Sequence, residues 1–167
     1  MLRGARADDR LAQARRRCLG ALMLVERLSA STATRLAVIG ITADVRCAVQ
    51  WLSRPGVGLV LVCADDGRLQ GVVSKSDLVR HMAGSALTDS PVADLMSRSI
   101  VSCAPDDDVR TVWTIMTAGN LQNIPVIDAH ARPVGVLEIR DVMNVLYAQE
   151  EMQEKMLTNY VAGVGYR

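Results

Sequence analysis

Phenylalanine is missing from this chain, and aromatic residues of every kind make up only 3% of its 167 positions. A base-stacking platform for single-stranded nucleic acid needs such rings, so that class is disfavoured and the core has to be aliphatic. Net charge is nearly absent too. A formal +1 gives no global field to recruit DNA or a membrane surface. The apolar stretch from Cys18 to Val25 is ended by Glu26 and Arg27 before it can cross a bilayer, and no convincing small-residue cleavage pattern follows it. The four cysteines, Cys18, Cys47, Cys63 and Cys103, lie far apart with no C-x-x-C pair, and His81 and His130 are isolated. No metal site is therefore expected. Cys63, inside an apolar run, reads as a small buried thiol. Catalytic signatures are lacking as well: no Walker-type loop, no G-x-S-x-G and no H-E-x-x-H. Asp65-Asp66 and Asp106-Asp107-Asp108 read as turn and helix-start acids rather than an acid/base pair. These absences predict a non-catalytic cytoplasmic protein with reduced thiols and no required cofactor.

What is present is a repeat. Half of the residues are apolar and 22% are charged, a globular profile. Gly71-Val-Val-Ser-Lys-Ser-Asp77 returns as Gly135-Val-Leu-Glu-Ile-Arg-Asp141, an offset of 64 positions. The offset holds upstream without a gap: Val45 and Arg46 fall on Val109 and Arg110, Val62 on Val126, and Arg68 on Arg132. A repeat found first decides how everything else is divided. The division is a helix and loop over residues 1–35, repeat one over 36–83, a connector over 84–99, repeat two over 100–146, and a helical extension over 147–167.

Residues 8–28 carry Leu11, Ala14, Cys18, Leu22 and Val25 on one helical face. Arg3, Arg6, Arg10, Arg15, Arg16 and Arg17 crowd the same region, as a solvated face or, alternatively, a phosphate-contacting arm. Residues 29–34, small and rich in hydroxyls, read as a loop. Repeat one then predicts a strand over 36–41 and a helix over 44–52 with Val45, Ala48, Val49 and Leu52 inward. A strand buried on both faces follows over 59–63, and Asp65-Asp66-Gly67 turns it into an antiparallel partner over 69–73. A second helix starts at Ser76 or Asp77. Pro91 opens a helical turn in the connector. Repeat two predicts the same order: strand 100–102, helix 107–118, strand 124–127, strand 133–138, and a helix from Asp141. Val142, Val145, Leu146, Gln149, Met152, Met156 and Tyr160 carry that last pattern well past the unit, so its apolar face needs a cover.

The order strand, helix, strand, strand, helix, with Asp94-Leu-Met96, Asn123-Ile-Pro-Val-Ile-Asp128 and Gly135 to Asp141, resembles the CBS domain family, which occurs as tandem pairs called Bateman modules. The resemblance covers roughly residues 36–146. Repeat one departs from it, with Leu61 where the family prefers proline and no Asp-hydrophobic-Met turn before its first strand. The resemblance implies an α/β (α+β) fold of two pseudo-twofold-related β-α-β-β-α units, here with N- and C-terminal helical extensions, leaving two equivalent clefts. It also implies association of two chains into a flat disc, and sensing of AMP, ADP, ATP, S-adenosylmethionine or NAD on behalf of a protein partner.

Ser-x-Ser-Asp at a strand-to-helix junction suits a nucleoside. A carboxylate accepts two hydrogen bonds from vicinal ribose hydroxyls, each bond to a charged group contributing about 1.5–3 kcal/mol, and the free N–H groups of the following helix can face a phosphate. By the resemblance, Asp77 takes the ribose, Ser74 and Ser76 the ribose or phosphate, and Val72 one face of the adenine. The second wall comes from repeat two, through Arg98, Ile100, Leu121 and Gln122. The plainer alternative is that Ser76 or Asp77 only caps the helix. In the second cleft Glu138 and Arg140 replace Ser74 and Ser76, and an unpaired Glu138 repels phosphate. Val136 and Asp141 then leave a weaker site, for a nucleoside without phosphates or for nothing, so one occupied site per chain is expected. Lys75, Arg80, His81 and Arg98 are candidate phosphate contacts. The competing function is a homodimeric scaffold with empty clefts; nucleic-acid and membrane partners are not expected.

Overall fold

The structure is a computed structural model and describes residues 23–84 and 90–161. The arginine-rich stretch and most of the expected first helix lie outside the described residues.

A 3-10 turn, Val25–Leu28, leads into α1, Ser29–Thr34, where a loop was expected. The small hydroxyls close on the backbone instead of opening it. Ser31 Oγ donates to Leu28 O at 2.9 Å, Thr32 Oγ1 to Ser29 O at 3.2 Å, and Thr34 Oγ1 to Ser31 O at 2.7 Å. Repeat one follows as β1 (Val38–Gly40), α2 (Val45–Leu52), β2 (Leu59–Cys63), β3 (Leu69–Ser74) and α3 (Lys75–Gly84). In α2, Val45, Ala48 and Leu52 are buried and Val49 half-buried, as the spacing predicts. β2 is buried at every position, parallel to β1 and antiparallel to β3, with Leu61 opposite Val72.

The connector forms α4 (Val92–Leu95), with Pro91 in its N-cap position. Repeat two supplies α5 (Val109–Ala118), β4 (Asn123–Ile127), β5 (Pro133–Glu138) and α6 (Ile139–Val161). The side chain of Asp108 caps α5, accepting from Thr111 N. The strand expected over 100–102 is reduced to a single bridge between Cys103 and Val126. Pro125 explains the loss. Its counterpart Leu61 donates its N–H to Ala37 O at 2.8 Å, and proline has no N–H to give. The two units otherwise match in detail. Four residues with positive φ form two pairs at the same offset, Gly56 (80°) with Asn120 (50°) and Gly67 (83°) with Ala131 (59°).

The units are crossed at their entrances. Val109 N donates to Met23 O at 2.7 Å and Val25 N to Asp107 O at 3.0 Å, while Val45 N donates to Ser90 O at 2.9 Å and Val92 N to Ala43 O at 2.8 Å. The segment before repeat one therefore packs on repeat two, and the segment before repeat two packs on repeat one. Val25 lies in the core of repeat two, and Val92 and Met96 in that of repeat one. A third cluster, Leu59, Leu61 and Val136 with Leu36, Leu69 and Val72 packed against it, joins the two sheets. Each fully buried aliphatic side chain contributes about 1.5–3 kcal/mol.

The crossing sets the two repeat glycines against different neighbours. A Cβ on Gly135 would lie 2.7 Å from Thr32 Oγ1 and 3.0 Å from the Thr32 backbone; on Gly71 its three nearest neighbours would be side-chain atoms of Met96, with Cγ at 2.7 Å and Cβ at 3.0 Å. Gly135→Ala is expected to lower stability by about 1–3 kcal/mol. Gly71→Ala should cost less, because an unbranched thioether can move aside. Urea denaturation midpoints of the two variants check the order.

Candidate functional site

Between the repeats lies a cavity of about 730 Å³, inside the range of about 300–1,000 Å³ usual for small-molecule sites. The turns entering β2 and β4 supply one part of its wall, from Gly56 to Leu59 and from Asn120 to Pro125. These turns approach closely, since a Cβ on Gly58 would come within 2.5 Å of Asn123 Nδ2. The end of β3 and start of α3 bring Val72, Ser74, Lys75, Ser76 and Asp77; the lead into repeat two brings Ser97, Ser99 and Val101; repeat two adds Glu138 and Arg140.

Ser74 and Asp77 hold each other. Asp77 Oδ2 accepts from Ser74 N at 2.8 Å and from Ser74 Oγ at 2.6 Å, and Asp77 N donates to Ser74 Oγ at 3.3 Å. This is a reciprocal capping box at the start of α3, so the helix-capping role is real. It uses mainly one carboxylate oxygen. The other, Oδ1, accepts from Arg80 Nη1 at 3.1 Å, and the Arg80 side chain is 77% exposed. An exposed pair of this kind contributes about 0–1 kcal/mol, so a ligand hydroxyl can replace the guanidinium. Capping thus positions the carboxylate rather than consuming it.

The counterpart in repeat two is built differently. Asp141 is gripped by Arg35: Nη2 donates to Oδ1 at 3.1 Å and Nη1 bonds Oδ2. Arg35 Nε lies 3.5 Å from Glu138 Oε2, and Arg140 Nε 3.5 Å from Glu138 Oε1. The Arg35 and Asp141 side chains are only 19% and 14% exposed. The hydrogen bond to Asp141 holds the Arg35 guanidinium above its usual pKa, against the opposing effect of burial.

Six of the residues singled out from the sequence, Val72, Ser74, Ser76, Asp77, Leu121 and Gln122, line this one cavity. Arg98 and Ile100 do not; Ser97, Ser99 and Val101 line it in their place. Successive side chains of an extended segment point to opposite sides, and the expectation was out of phase by one residue. Val136 is buried in the cluster that joins the sheets, and Asp141 is bonded to Arg35 rather than lining the cavity. Of the candidate phosphate contacts Lys75 lines the cavity, Arg80 reaches Asp77, and His81 lines neither position. Sequence reasoning missed Arg35, Asn120 and Asn123. The signal for Arg35 was available, since the repeat offset carries it onto Ser99.

Burial raises the thiol of Cys63, and raises that of Cys103 to about 12, which leaves both protonated at neutral pH. Among the described residues no group of His, Cys, Asp or Glu is arranged to hold a metal ion, and no helix is long and apolar enough to cross a membrane.

A sequence profile of the CBS domain matches residues 33–84 and 92–148. An uncharacterised 17.7 kDa protein of Acidianus ambivalens is 22% identical over 142 residues, 85% of this chain and 86% of that one. Arabinose 5-phosphate isomerase GutQ of Shigella flexneri is 27% identical over 62% of this chain, which spans only 32% of the isomerase. Among solved structures, a CBS domain protein from Pyrobaculum aerophilum complexed with AMP superposes with a TM-score of 0.64 at 26% identity, covering 71% of this chain and 89% of that one. The CBS domain pair of protein MJ0100, in complex with 5′-methylthioadenosine and S-adenosyl-L-methionine, gives 0.67 at 18% identity, covering 77% and 98%, a likeness of fold. The two matched segments take up most of the sequence and fall on the two crossed units, so this protein belongs to the CBS domain family and is a tandem pair of such domains.

Proposed function

We propose that this protein is a non-catalytic regulatory module that binds one adenosine-containing ligand, such as AMP, ATP or S-adenosylmethionine, between its two units and signals occupancy to a protein partner. The observation that carries this reading is the Ser74–Asp77 box. It fixes a carboxylate beside a nucleotide-sized cavity while its outer oxygen is bonded to an exposed arginine. Val72 and Leu121 offer apolar contact to a base, the Gln122 and Asn123 amides can pair with its edge, and Lys75 and Arg140 supply positive charge for phosphate. AMP in the Pyrobaculum relative supports the ligand class.

Calorimetry with AMP, ATP and S-adenosylmethionine tests the proposal. At least one should bind, and Asp77→Asn should weaken it tenfold or more, about 1.4 kcal/mol. The amide keeps the shape of the cap, so a merely structural role would move the melting temperature and not the affinity. Binding that survives Asp77→Asn unchanged removes the assignment.

A second reading, dimerisation, is favoured by the helix faces. Val79 on α3 and Met143 on α6 stand at equivalent repeat positions and are 68% and 51% exposed, beside exposed Met82 and Tyr147. These apolar patches fit a second copy of the chain packed as a flat disc. The wild type should sediment as a dimer, and Val79→Asp combined with Met143→Asp as a monomer. A monomeric wild type at micromolar concentration sinks this reading alone.

A further inference from the structure

We infer that Arg35 is the built-in occupant of the second cleft, so that the two-unit frame accepts one ligand per chain. The inference rests on the binding role proposed for Asp77 and extends it to its symmetry mate. The repeat offset relates Asp77 to Asp141, Ser74 to Glu138, Ser76 to Arg140, and Ser99 to Arg35. Around Asp77 these positions carry three short hydroxyl side chains and open space; Ser74, Ser76 and Ser99 all line the cavity. Around Asp141 they carry two cations and one further anion, joined to each other.

The difference decides what can enter. A guanidinium that bonds both carboxylate oxygens uses the atoms that would otherwise receive two vicinal hydroxyls. Replacing it means breaking a charge-assisted pair that is mostly withdrawn from water, and leaving Asp141 uncompensated while Glu138 keeps only Arg140. At Asp77 a ligand displaces only the exposed Arg80. Charge points the same way. Arg35 and Arg140 balance Glu138 and Asp141, so the second cleft is already neutral without a ligand. The same pairing neutralises Glu138 where it lines the first cavity, and so removes a repulsion from any phosphate bound there.

The internal symmetry provides the test. The double variant Arg35→Ser, Glu138→Ser frees Asp141 and brings hydroxyls to two of the symmetry-related positions, while Arg140, which lines the first cavity, stays in place. Calorimetry with AMP should give one molecule per wild-type chain and two per variant chain, with circular dichroism reporting that the variant is folded. Two sites in the wild type, or one in a folded variant, overturns the inference and leaves the proposed function standing. Silence in both proteins toward AMP, ATP and S-adenosylmethionine alike sinks the proposed function and the inference together. A crystal of the wild type soaked with AMP needs no variant: density at Asp77 with the Arg35–Asp141 pair intact is expected, and AMP seated at Asp141 overturns the inference whatever the variant does.

Discussion

Backbone hydrogen bonds tie each half of this chain to the segment that leads into the other half. Met23 and Val25 clasp Asp107 and Val109, while Ser90 and Val92 clasp Ala43 and Val45. Neither unit closes its own core, because Val25 and Val92 each fill the hydrophobic cluster of the opposite repeat. The same two segments run on into the clefts. One delivers Arg35 to Asp141, and the other delivers Ser99 to the cavity beside Asp77. Core formation and cleft chemistry are thereby assigned to one stretch of chain in each half, and the two cannot be separated by moving a loop.

The frame is close to symmetric while its chemistry is not. Strand register, a bulge after Val62 and after Val126, and the left-handed turns all recur at the repeat spacing. Against that background a few side chains carry the chemical difference. A serine in one unit accepts and donates weakly, and leaves room for water or a sugar. An arginine in the other fills the equivalent place with a planar fork suited to a carboxylate. Geometry alone would make the surroundings of Asp77 and Asp141 interchangeable; the residues at positions 35, 138 and 140 make them different.

Much of the fold was legible because it is written in local periodicity. The unbroken apolar run of β2 and the helical spacing of Val45, Ala48 and Leu52 each admit one arrangement in a half-buried unit. What was not legible depended on contacts distant in sequence. Residues 29–34 look like a loop until Thr32 is seen packed on Gly135. The strand over 100–102 fails because Pro125, in the neighbouring β4, cannot donate. Ser74, Ser76, Asp77, Leu121 and Gln122 were singled out through the resemblance, and all five line the cavity. Arg98 and Ile100 were chosen with the wrong phase of an extended segment. The pairing of Arg35 with Asp141 spans 106 residues, and only the repeat offset could have suggested it.

Both units lie on a single polypeptide, and this has a consequence for how such a protein responds to concentration. In an assembly of two identical single-unit chains, any substitution changes both clefts at once. Here the surroundings of Asp77 and of Asp141 can change independently. A chain with one open cleft saturates along a simple hyperbola, with a Hill slope of one. Any steeper response would have to arise between chains, through a contact that couples two such cavities.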